Sequence, residues 1–141
     1  MHIKLTNDYP ERYTLKQFRQ DNSNVSFPKD IPESMLADYD VYPCTRLEIP
    51  EYNSLTEQCF IAGFEQDAEG NWVQGFSVEP LEQDRAESNV RSRRDSLLSE
   101  TDWMALSDNT MTPEWATYRQ ALRDITAQEG FPYSVNWPTK P

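Results

Sequence analysis

Residues 58–79 read Gln-Cys-Phe-Ile-Ala-Gly-Phe-Glu-Gln, then Asp67-Ala68-Glu69-Gly70, then Asn-Trp-Val-Gln-Gly-Phe-Ser-Val-Glu. In the first arm Cys59, Ile61 and Gly63 alternate with Phe60, Ala62 and Phe64; in the second Trp72, Gln74, Phe76 and Val78 share one side. A period of two places alternate side chains on opposite faces of an extended chain, so Gln58–Gln66 and Asn71–Glu79 are predicted to form an antiparallel hairpin. Its loop is built on Ala68-Glu69-Gly70-Asn71, polar and glycine-containing as hairpin turns are. Trp72, Phe76 and Val78 are expected to be packing residues. The segment also invites a calcium-loop reading, with Glu65, Asp67 and Glu69 at positions 1, 3 and 5 and Gly70 at 6. Position 12 is Phe76, where a bidentate glutamate belongs, so the polar turn is preferred.

Towards the N-terminus the elements shorten. His2-Ile3-Lys4-Leu5 alternates and is expected as a strand at the edge of a small sheet. Thr14 with Gln17 fits a capping box, which puts Leu15 and Phe18 on the buried side of a short helix. Ser23 to Pro28 ends it, and Ser34–Tyr39 suggests another helical turn. Val41–Ile49 is broken by Pro43 and followed by Pro50, a spacing that permits only short or edge strands.

Beyond Pro80 the period changes. Val90, Leu97 and Met104 recur at intervals of seven, one narrow stripe on a helix expected over residues 81–99. Most of the remaining surface is charged, with Glu87–Arg91 and Arg91–Asp95 at i, i+4. Arg91, Arg93 and Arg94 read either as a solvated face or as contacts for carboxylates, which arginine binds bidentately. Thr112-Pro113-Glu114 is a helix start, followed by Trp115, Tyr118, Leu122 and Ile125 on one face and by Gly130 as a stop. The polar connection Ser107–Thr110 is short, so an antiparallel helical hairpin is expected, with Val90, Leu97 and Met104 facing Trp115, Tyr118 and Leu122. The proline-rich tail 131–141 should run extended, with Phe131 and Trp137 either folding back or docking on another chain. The fold class expected is α+β: a mainly β part over residues 1–80, then a helical hairpin with an extended Pro/aromatic tail over 81–141.

Composition limits what such a chain can do. Leu, Ile, Val and Phe make up 27 of 141 residues and the net charge is −11, a range in which many chains bury too little apolar surface to fold alone. Seventeen aromatic residues argue against disorder. The balance describes a folded but weakly cored protein that depends on a partner. So acidic a chain is a poor ligand for nucleic acid, which demands clustered cations. The longest apolar run, Cys59–Phe64, is far below the roughly 20 residues that span a bilayer. Met1-His2-Ile3-Lys4-Leu5 lacks a signal-peptide core, so a soluble protein made in a cytosol is expected. His2 is the sole histidine, which removes Ser-His-Asp and Cys-His catalysis and histidine metal sites. Cys44 and Cys59 stand without a second ligand pair, and no phosphate-binding glycine motif occurs. No pair among the 24 carboxylates is singled out as an acid and a nucleophile. No catalytic residue, cofactor or metal is therefore expected, and the chain is read as a non-enzyme.

Three strings carry a family likeness: Arg91-x-Arg93-Arg94-Asp95-x-Leu97-Leu98-x-x-x-Asp102-Trp103, then Trp115-x-x-Tyr118-Arg119-x-x-Leu122-Arg123-Asp124-Ile125, then Gly130-Phe131-Pro132 and Trp137-Pro138. Together they resemble the bacteriophage tail assembly chaperone family over residues 88–141 or so. Two departures stand out, a shorter link between Trp103 and Trp115 and Thr126 in place of a common proline. The resemblance implies a small non-enzymatic phage protein that binds a tail-fibre or other tail protein in the host cytoplasm during assembly, within an oligomeric tail assembly. The alternative it leaves open is a structural subunit, a connector or fibre-associated protein retained in the virion tail. The expected partner-binding residues are Arg94, Trp103, Trp115, Tyr118, Arg119, Phe131 and Trp137.

Overall fold

The fold comes from a computed structural model that describes residues 1–106 and 109–141; two residues of the expected connection Ser107–Thr110 thus lie outside the described residues. The chain is mixed α+β, with a sheet in the N-terminal region and helices later. Two compact units emerge, one of residues 1–50 and 59–77, the other of 51–58 and 78–141.

The sheet begins with β1 (His2–Thr6) and β2 (Tyr9–Tyr13), paired antiparallel with Thr6 opposite Tyr9. Asn7 and Asp8 make the two-residue turn at φ of 52° and 66°. A type I′ turn needs positive φ at both central residues, which Asn and Asp tolerate best among non-glycines. β3 (Val41–Arg46) pairs antiparallel with β1, and β5 (Trp72–Pro80) pairs parallel with β3. With β4 (Glu57–Gln66) beside β5, the order is β2-β1-β3-β5-β4.

One strand expectation is corrected here, and of the two alternatives left open for β3 the short one holds. β1 is not at the edge, because β2, a polar segment with a proline, covers it. The Leu5 N–H donates to Asp40 O on the β3 side (2.9 Å). Leu5 and Pro10 therefore form a non-hydrogen-bonded pair, and Pro10 turns its missing donor outward. β3 is short, as its prolines dictate, yet it is internal. Cys44 N donates to Met1 O (2.8 Å) on the β1 side, so Pro43 points the other way. The ladder to β5 starts only at Cys44 opposite Trp72, and no partner is lost.

β4 and β5 are joined by five residues, too few for a crossover. Asp67 organises this turn: its Oδ1 accepts from Glu69 N (3.0 Å) and Asn71 N (2.8 Å), and Gly70 sits at φ 84°. The backbone and side-chain amides of Asn71 hold the Asp67 carboxyl below its ordinary range. These contacts are internal to the turn.

The first unit packs around Phe18 on α1 (Leu15–Asp21), whose N-cap Thr14 and Gln17 form the reciprocal capping box. Phe18 is fully buried, 4.7 Å from the Phe27 ring and edge-on to Tyr39 at 5.1 Å. Leu36 on α2 (Glu33–Ala37), Tyr13 and Val41 complete this cluster. Arg19 pins the following loop by donating to the carbonyls of Pro28 (2.6 Å) and Lys29 (2.9 Å).

Tyr13 donates its hydroxyl hydrogen to Asp21 Oδ2. Burial, then this bond, pushes the phenol up to about 12. A raised folded-state pKa stabilises below the unfolded value and is lost as pH rises through the folded one. Stability should therefore fall between about pH 10 and 12, and urea titrations of Tyr13→Phe should show a shallower fall across that window. Equal slopes for the two proteins would refute the assignment.

In the second unit α3 spans Gln83–Ser99 and α4 spans Pro113–Arg123, which follows Thr112 in extended conformation and has Pro113 in its first turn. Val90, Tyr118, Leu122 and Ile125 are buried together, with Leu55, Leu97, Leu98, Trp115, Phe131, Val135 and Trp137 packed around them. The tail thus folds back on its own unit. Met104 is outside this cluster, against expectation. α3 stops because the Leu98 carbonyl takes Thr101 N and Oγ1 (both 3.0 Å), and Met104 then falls in a 3-10 turn, Asp102–Ala105. Residues 51–58 belong to this unit: Leu81 N donates to Thr56 O (2.8 Å) and Asn89 Nδ2 to Leu55 O (2.9 Å).

Candidate partner interface

Arg119 is the node from which this surface is built. It reaches back from α4 and is only 6% exposed. Nη1 donates to Leu98 O (2.8 Å) and to Thr101 Oγ1, while Nη2 meets Asp102 Oδ1 at 2.8 Å. A planar guanidinium suits this threefold grip, and its charge is balanced by a carboxylate that still faces water. The grip fixes the end of α3 and the 3-10 turn that follows.

That turn presents Trp103, 56% exposed, whose carbonyl is tied to Asn109 Nδ2 (3.1 Å). Trp103, Met104, Met111 and Trp115 line a hollow of about 160 Å³ together with Asn109, Thr110 and Thr112. A cavity of that order holds a benzene-sized group, so one apolar side chain fits. Methionine walls adapt to irregular guests. Leu106, which follows the 3-10 turn, is as exposed as Trp103.

The other expected contact residues fall elsewhere. Trp115 is half-buried, edge-on to Tyr118 at 5.8 Å and beneath Lys140 Nζ at 5.9 Å. Tyr118 is buried, and Phe131 and Trp137 pack on the helical cluster, with the Arg91 guanidinium 5.3 Å from the Phe131 ring. Arg94 is paired with the adjacent Asp95 (2.8 Å). The structure thus brings Trp103 and Trp115 to one hollow and places Tyr118 and Arg119 behind it. Met111 and Leu106 were not foreseen; two apolar residues flanking a polar connection were the available signal.

Among the described residues no group of three or more His, Cys, Asp or Glu is placed to hold a metal ion, and no helix is long and apolar enough to cross a membrane. Cys44 is buried, which raises its thiol pKa and opposes the reactive thiolate.

The residues lining the hollow lie in the part of the chain that a family model matches. Residues 87–141 match the family model of the phage tail assembly chaperone protein. No curated protein and no solved structure gives a match to the chain. Arg94, Trp103, Trp115, Tyr118, Arg119, Phe131 and Trp137 all lie inside the matched segment.

Proposed function

We propose that the protein is a non-enzymatic phage tail assembly factor that acts in the infected host cell and binds a tail or tail-fibre polypeptide. The family match of residues 87–141 supports this reading, and the observation that carries the binding mode is the exposed Trp103 beside the Met104–Met111–Trp115 hollow. A tryptophan presented on a fixed turn is a typical interface anchor. Tyr118, Arg119 and Trp137 then act by holding the hollow in shape, and Arg94 by its charge. An apolar side chain of the unassembled tail protein enters the hollow and is shielded until assembly replaces the contact.

The experiment is co-expression with the tail-fibre protein of the same phage. Trp103→Ala should weaken the complex at least about tenfold while shifting stability by less than about 0.5 kcal/mol, read by calorimetry and by thermal melting. A fibre protein that becomes soluble and trimeric equally well without this chain would count against the proposal. Mass spectrometry of purified particles distinguishes the retained structural subunit: stoichiometric presence would replace the transient role with that one.

A further inference from the structure

The two rims of the sheet are defended differently. β2 is five residues long and carries an outward Pro10, Glu11 and Arg12. Such features discourage pairing with another chain. β4, at the other rim, is ten residues long and holds no proline, lysine or arginine; Gly63, at φ 128°, interrupts its extended backbone once, after Ala62. It exposes Phe60 (41%), Ile61 (55%) and Ala62 in succession, so apolar surface flanks the rim on both faces. Beside it Gly63, Phe64, Gly75 and Phe76 line a small hollow. Among the described residues no strand lies beyond β4.

Charge selects what could cover this rim. From Leu47 to Asp84 the chain carries nine carboxylates and no lysine or arginine. Glu65 and Glu69, at the turn end of the strand, are exposed. A second copy of β4 would bring the same carboxylates to the same edge, and like charges across strands repel. We propose that β4 accepts an extended strand of another polypeptide that alternates basic and apolar residues. Its main chain completes the free ladder, its apolar side chains lie against Phe60 and Ile61, and its cations meet Glu65 and Glu69. Main-chain bonds of this kind give affinity, and side chains give selectivity. The site is separate from the Trp103 hollow and stands whether or not that hollow binds a tail protein.

Hydrogen exchange on the full chain tests it, with two acetylated, amidated octapeptides, alternating Lys-Val and alternating Glu-Val, each at about 1 mM. The expected result is that Lys-Val slows amide exchange within residues 59–64 about tenfold, that Glu-Val does not, and that the effect shrinks at high salt. The double variant Phe60→Lys/Ile61→Lys should abolish the slowing, whereas Tyr9→Lys on the opposite rim should retain it. The proposal is overturned by equal slowing with both peptides, by no slowing, or by protection centred on β2. Protection that rises with protein concentration without peptide would assign the rim to a second copy instead.

Discussion

Arg119→Ala is expected to lower unfolding stability by about 2–4 kcal/mol, the loss typical of removing a charged donor that holds several buried or half-buried acceptors. The side chain spans three groups from Leu98 to Asp102, so its removal unbinds the end of α3 from α4. Trp103, carried on the next turn, should lose its fixed position with it. Arg119→Lys should recover only a minor part, because an ammonium cannot reproduce the planar fork. Urea unfolding followed by tryptophan emission reads the effect, since Trp103, Trp115 and Trp137 all lie in this unit. A loss below about 0.5 kcal/mol would sink the anchoring role and leave Arg119 as a partner contact.

Phe18→Ala should be at least as damaging in the first unit, by about 3–5 kcal/mol. Phe18 is fully buried and touches two other rings; Tyr13, Leu36 and Val41 are buried with it, and Leu15, Phe27, Ile31 and Tyr39 pack around them. A small core has no slack to collapse into the cavity. Phe60→Ala on the exposed rim supplies the control and should stay within about 0.5 kcal/mol. Similar melting of the two variants would show that the Phe18 cluster does not hold the unit together.

The elements legible in the sequence were those whose signals are local. The capping box at Thr14 and Gln17, the Thr112-Pro113 helix start and the alternation through residues 58–79 each state their structure within a few residues, and α1, α4, β4 and β5 stand where those signals place them. What depended on distant partners was illegible. β2 reads as a polar, proline-bearing segment and is a strand only because β1 lies beside it. The Asn7-Asp8 turn was the available cue, weaker than Asn-Gly because both residues carry side chains into the left-handed region. The seven-residue stripe extended too far: α3 ends where Thr101 donates to the Leu98 carbonyl, and Arg119, 21 positions away, holds that end in place.

The partner surface follows the same division. Trp103 was visible as an aromatic residue in a recognisable string, but Met111 joins it in the hollow only through the fold. Conversely, Tyr118 stood on the apolar face of its helix and is buried as that face implies, whereas Arg119 beside it gave no hint of being buried rather than presented. Side-chain direction near a helix end depends on how that end is tied down, and nothing within one turn of sequence encodes it.

The excursion of residues 51–58 into the helical unit has a consequence for anyone grafting the gene. A fragment starting at Glu87, where the family likeness begins, would leave the ribosome lacking Leu55 and Leu81, and the Asn89 amide would have nothing to grip. Transplanted into a foreign host sequence, the helices need an upstream peptide that mimics Asn53–Thr56, or they arrive with one wall missing.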